Sequence, residues 1–186
     1  TLSAGGISSG AGIASGTSQR VLDWTGGTIT TLDESTDLAI TGVSGSGGGL
    51  CINVSGAVPK TFAVPTGRTI TLGRYIVFSG SDTALLKTGS GTLEIGGEGF
   101  VGAFSGSTTI CQGVLRIANN AALAASTITP LTGGTLTISP ALKTTVGRLL
   151  PNADGVTDVG SGAITVTSGL STTDLLVALN NGRNGG

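Results

Sequence analysis

The sequence predicts an all-β chain folded as a right-handed parallel β-solenoid, with coils of about 21–23 residues and a short C-terminal helix. Three observations predict it. Four short runs alternate apolar with polar residues: Thr69-Ile70-Thr71-Leu72, Thr92-Leu93-Glu94-Ile95, Val114-Leu115-Arg116-Ile117 and Thr135-Leu136-Thr137-Ile138. Their first inward positions, Ile70, Leu93, Leu115 and Leu136, follow one another at a nearly constant step, and a glycine (Gly67, Gly91, Gly113 or Gly134) stands shortly before each run. Finally, 34 Gly, 29 Thr and 19 Ser among 186 residues leave only 10% charged and 3% aromatic side chains.

Alternation with period two marks a strand with one buried face. A unit of this size cannot bury its own apolar row, but coils stacked about 4.8 Å apart bury a continuous one. The thin interior of such a stack takes aliphatic rather than aromatic side chains, and Gly, Ser, Thr and Asn suit its corners. The mean hydropathy of +0.38 sets the chain apart from disordered Gly/Ser-rich sequences. An antiparallel β-sandwich is the alternative, because strand-like runs such as Tyr75-Ile76-Val77-Phe78 and Ala84-Leu85-Leu86 fall between the repeats. In a solenoid these runs are the other sides of each coil.

Taken in order, residues 1–16 form a Gly/Ser-rich segment with isolated Leu2, Ile7 and Ile13, too sparse for a rung. They read as a mobile leader or as an arm that orders on another surface. The chain opens at Thr1 with no Met and no signal-like leader, which implies that whatever preceded Thr1 has been removed. Residues 17–168 are the solenoid. Further members are expected at Asp37-Leu38-Ala39-Ile40, Cys51-Ile52-Asn53-Val54 and Ala163-Ile164-Thr165-Val166, with less regular steps between them and the central four. Residues 169–186 are the helix and tail: Ser171 is the N-cap with Asp174 at the third position after it, Leu175, Leu176, Val177 and Leu179 are apolar, and Asn180-Asn181-Gly182 is the stop. Such a helix can cover the open edge of a solenoid.

Stacking makes two geometric predictions. The third positions of the repeats, Thr71, Glu94, Arg116 and Thr137, form one outward row, so Glu94 sits beside Arg116. Cys51 and Cys111 are separated by nearly three coils, or about 14 Å of axial rise. If both lie on the same wall, that exceeds the roughly 7 Å that a disulfide spans between Cα atoms, so both are expected as free thiols.

Composition also excludes chemistry. With no His and no Met there is no Ser-His-Asp triad, no Cys-His pair and no imidazole metal ligand, and the two cysteines lack CxxC spacing. No enzyme activity is expected, and no catalytic, cofactor-binding or metal-binding residue is assigned. The net charge of −1, with scattered basic residues, argues against nucleic acid as a partner. No apolar run reaches the roughly 18 residues of a membrane span. Asp33, Glu34 and Asp37 read as a solvated acidic turn. Asp154 and Asp158 resemble a calcium loop only loosely: position 150 is Leu and no bidentate Glu follows, so they read as a turn held by Asn and Asp side chains. Arg20, Arg68, Arg74, Arg116, Arg148 and Arg183 would bind acidic glycans if aligned on one wall, and are otherwise spaced surface charges. Trp24 and Tyr75 are sugar-stacking candidates or partly buried aromatics. Asn53-Val54-Ser55 has the glycosylation pattern, but inside an expected strand.

One stretch carries a family resemblance. Lys87-Thr88-Gly89-Ser90-Gly91-Thr92-Leu93-Glu94-Ile95, then Ser107-Thr108-Thr109-Ile110-Cys111-Gln112-Gly113-Val114-Leu115-Arg116-Ile117 and Asn119-Asn120-Ala121-Ala122-Leu123, resembles the autotransporter-associated β-strand repeat from Lys87 to Leu123. Ser161 to Val166 and the tail from Thr173 resemble the C-terminal part of large repeat proteins of bacterial surfaces. The resemblance implies a secreted bacterial β-helix of passenger type and supplies no catalytic residues. This chain departs from such passengers in its few repeats and in lacking an outer-membrane barrel. The expectation is an extracellular or cell-surface structural protein, a homo-oligomer or homopolymer that self-associates through its N-terminal arm into a surface or matrix fibre. The alternative is an adhesin-type domain that binds a glycan or a surface.

Overall fold

Parallel strand stacking organises the chain into three walls. The computed structural model describes residues 2–4, 6–8, 20–44, 49–152, 154–169, 171, 173, 174 and 176. Wall A contains β1 (Leu2–Ala4), β4 (Gly27–Thr31), β7 (Lys60–Ala63), β10 (Ala84–Thr88), β13 (Ser107–Ile110), β15 (Leu123–Pro130), β17 (Lys143–Leu149) and β19 (Ala163–Val166), in that spatial order. Wall B contains β2 (Gly6–Ser8), β5 (Leu38–Thr41), β8 (Thr69–Leu72), β11 (Thr92–Ile95), β14 (Gly113–Ile117), β16 (Gly134–Ile138) and β18 (Val156–Asp158). Wall C is shorter, with β3 (Arg20–Trp24), β6 (Leu50–Val54), β9 (Ile76–Gly80) and β12 (Val101–Phe104). The pairings on all three walls are parallel, which is the β-solenoid rather than the antiparallel sandwich.

The four regular repeats are β8, β11, β14 and β16, adjacent on wall B. Their alternation aligns two buried columns. Leu38, Ile70, Leu93, Leu115 and Leu136 are successive Cα partners, as are Ile40, Leu72, Ile95, Ile117 and Ile138. Every member is at most 6% exposed, and each such side chain contributes about 1.5–3 kcal/mol by leaving water.

Coil length tapers along the stack. On wall B the step between register partners is longest from Gly6 to Ala39, nearly as long from Leu38 to Ile70, shorter from Thr69 to Thr92, and shorter still from Thr135 to Val156. The predicted spacing therefore holds from β8 onward, and the coil before β8 is longer. The irregular steps arise because the outer members lie on different walls. Leu38–Thr41 does belong to wall B, whereas Cys51 to Val54 lies on wall C and Ala163–Val166 on wall A. The last strand of wall B is β18, inside the stretch read from sequence as a turn. Wall C ends at β12. Beyond it, β15 and β17 are long strands of 8 and 7 residues, and their mutual register shifts between Leu123 and Thr127.

At the N-terminal end, Leu2–Ala4 pairs with β4 and Gly6–Ser8 with β5, so part of the segment read as an arm lies on the chain's own stack. Ile13 lies outside the described residues. At the other end, Ser171 and Asp174 form a reciprocal cap: Ser171 Oγ accepts from the Asp174 N–H at 3.1 Å, and Asp174 Oδ2 accepts from the Ser171 N–H and hydroxyl at 3.1 and 2.9 Å. Thr173, Asp174 and Leu176 are helical, as the capping pattern predicts. Leu175, Val177, Leu179 and the Asn180-Asn181-Gly182 stop lie outside the described residues.

Candidate functional site: the outer walls and two buried lysines

Register sets which side chains share a wall. On wall B the expected row of Thr71, Glu94, Arg116 and Thr137 is present, and Ala39 and Asp158 extend it at its two ends. Arg116 Nη1 lies 3.4 Å from Glu94 Oε2. Wall C presents an apolar row, Val21, Cys51, Val77 and Val101, in continuous register. At the next outward position of these strands, Asp23, Asn53 and Ser79 form a polar row, and Asn53 Nδ2 donates to Asp23 Oδ1 at 2.9 Å. Asn53 is thus a strand residue whose amide is already engaged.

Asp33, Asp37 and Asp154 are turn residues, and Asp158 ends strand β18. Asp33 Oδ1 accepts from the hydroxyl and the N–H of Ser35, both at 2.8 Å, and these bonds, the hydroxyl first, hold its carboxyl below the usual aspartate value. Asp37 Oδ1 accepts the Thr69 N–H at 2.9 Å, so it ties the turn to wall B. Asp154 accepts from the Thr132 hydroxyl, and its own N–H donates to Asn152 Oδ1. Asp158 caps the next turn through the Gly160 N–H at 2.9 Å. Among the described residues no group of three metal-ligating side chains converges.

The arginines are not brought together. Arg20 is on wall C, Arg116 on wall B and Arg148 on wall A. Arg68 lies just before β8, where Nη1 donates to the Ser35 carbonyl at 2.8 Å and stands 3.8 Å from Asp37 Oδ1. Arg74 is exposed between β8 and β9, and Arg183 lies outside the described residues. Trp24 is a core residue, 6% exposed, with its ring edge-on to Phe62 at 5.0 Å and Nε1 donating to the Gly26 carbonyl. Tyr75 is half-buried at a corner with φ of 54°, and its carbonyl accepts the Leu50 N–H.

Two functional-looking groups escape the sequence reading. Lys60 and Lys87 are fully buried, on inward positions of β7 and β10. Lys60 Nζ donates to the carbonyls of Gly56 and Val58 at 2.8 and 2.6 Å and to Thr83 Oγ1 at 3.2 Å. Lys87 Nζ donates to the carbonyls of Thr88, Gly89 and Gln112 at 3.0, 2.7 and 3.0 Å. Three donors thus meet three oxygens in each cage, as a buried ammonium requires. Burial still lowers the Lys87 amine to about 8, partly opposed by Cys111. The signal in the sequence was parity: Lys60 alternates with Phe62 and Val64, and Lys87 with Leu85, so each shares the inward face of its strand.

Both cysteines are free and half-buried, Cys51 on wall C and Cys111 at the corner after β13. No family model, curated protein or solved structure matches the chain.

Proposed function

We propose that this chain is a structural element of a bacterial surface or matrix, a secreted β-solenoid of passenger type whose copies associate into a fibre. The observation that supports the reading is the parallel pairing of β1 with β4 and of β2 with β5. Short terminal strands that add to a stack in this way make the same contacts whether they come from their own chain or from a neighbour. Exchange of the N-terminal segment between copies gives a head-to-tail contact, and such a contact propagates as an open fibre. The walls favour a structural role, since their carboxylates serve as turn caps or ladder partners and Trp24 belongs to the core. The resemblance of residues 87–123 to the autotransporter-associated repeat supports an extracellular setting.

Electron microscopy of native protein over a dilution series, beside a chain lacking residues 1–16, tests this. Filaments with a regular axial repeat that vanish on truncation are the expected result. Compact, monodisperse particles in both samples would overturn it.

A further inference from the structure

We infer that the outer face of wall A binds ordered solid water, the surface of ice. The inference does not rest on self-association, since a single copy presents the whole face. Thr28, Thr61, Leu86, Thr109 and Thr129 are successive Cα partners on five adjacent strands. At the neighbouring outward positions of their strands, Thr30, Ala63 and Thr88 flank this row on one side, and Ala84, Ser107 and Thr127 flank it on the other. The result is a two-dimensional grid, with rows about 4.8 Å apart across strands and about 6.7 Å along them. The spacing across strands is close to an oxygen repeat on the faces of hexagonal ice.

Three further features fit that ligand. The hydroxyls of Thr28, Thr61, Thr109 and Thr129 make no hydrogen bond within the described residues, whereas the inward Thr31, Thr83, Thr108 and Thr144 are all bonded. These four threonines therefore offer free hydroxyls beside methyl groups, on side chains that branching holds nearly fixed at χ1, whereas Thr88 Oγ1 at the flank donates to the Phe62 carbonyl at 3.5 Å. Next, no charged side chain faces outward on this wall between Thr28 and Thr129. Lys60 and Lys87 point inward into their cages, and the exposed charges of the wall, Lys143 and Arg148, are on β17, where Arg148 is the Cα partner of Thr127 and bounds the grid. A charged group holds its own hydration shell and disrupts a lattice. Walls B and C, by contrast, present Glu94, Arg116, Asp158 and Asp23.

Finally, size argues against a protein on this face: the grid covers roughly 250 Å² by strand spacing, well below the roughly 800 Å² per partner of a stable protein interface. A sugar platform would need an exposed aromatic ring, and none of the grid positions holds one.

The test measures ice shaping, thermal hysteresis and inhibition of ice recrystallisation by the full chain, against an inert globular protein of equal mass. Thr61→Tyr and Thr109→Tyr place bulk in the central row, Thr109→Lys adds a charge there, and Thr92→Tyr on wall B is the control; circular dichroism verifies that each is folded. The expected result is activity in the native chain and in Thr92→Tyr, with at least a ten-fold higher concentration required for the wall A variants. An inactive native chain would overturn the inference, and so would activity that survives the wall A substitutions or falls equally in Thr92→Tyr.

Discussion

Glu94 and Arg116 are Cα partners on adjacent parallel strands, and their side chains meet at 3.4 Å on the outside of wall B. Both side chains are substantially open to water, at 29% and 47% exposure, so solvent screens the pair. A double-mutant cycle with Glu94→Gln and Arg116→Gln, read by urea denaturation, is expected to give a coupling of about 0.2–0.5 kcal/mol that disappears in about 1 M salt. A coupling above about 1 kcal/mol would mean that the row is more rigid than its exposure implies.

Two glycines with the same backbone angle separate conformational strain from stacking. Gly67 and Gly113 both have φ of +71°, but a Cβ at Gly67 meets open space, whereas one at Gly113 falls against the carbonyl oxygens of Gly89 and Gly91 on the preceding coil. Gly67→Ala is expected to cost about 1–2 kcal/mol, the left-handed penalty alone. Gly113→Ala adds a clash with backbone of the coil below and is expected to cost at least about 3 kcal/mol. Equal losses in equilibrium unfolding would contradict the close stacking at that corner.

The Lys87 ammonium gives the fold a pH signature. Its folded value of about 8 lies below the ordinary 10.5. Below pH 8 both folded and unfolded states hold the proton, and the folded state carries the full desolvation penalty. Between pH 8 and 10.5 the unfolded state binds more protons, so this group makes stability rise with pH, and the gain levels off above 10.5. Urea denaturation at pH 7, 9 and 10 is expected to show native stability rising relative to Lys87→Met. At pH 7 that variant is expected to be less stable by about 1–3 kcal/mol, because the carbonyls of Thr88, Gly89 and Gln112 lose their donor.

The thiols provide a check on register. With Cys51 on wall C and Cys111 at a corner after β13, denatured but unreduced protein is expected to take up two equivalents of an alkylating reagent. Uptake of none, restored to two by reductant, would reveal a bridge incompatible with the stack.

The alternation in Thr69–Leu72, Thr92–Ile95 and Gly134–Ile138 determined from sequence alone that these strands face one core, and their near-constant spacing determined that they stack as neighbours. A repeated register needs only local side-chain parity and a coil length, and both are written in one dimension. The Glu94–Arg116 contact follows from that arithmetic, whereas the cysteines are free without sharing a wall, Cys51 being on wall C and Cys111 at the corner after β13 of wall A. The Ser171–Asp174 cap was equally legible, because capping joins residues within a single turn of chain.

What tertiary structure decided is the assignment of strands to walls. Cys51 to Val54 and Ala163–Val166 have the same alternation as the wall B repeats, yet they occupy walls C and A, because corner geometry and coil length determine which side of the coil a strand occupies. Trp24 found its place against Phe62, more than a full coil further along the chain, and no local pattern marks that meeting. The lysine cages were settled the same way. An inward lysine is tolerated only where a turn directs carbonyl oxygens at its ammonium, and Gly56, Val58, Gly89 and Gln112 acquire that orientation only once the coils are stacked.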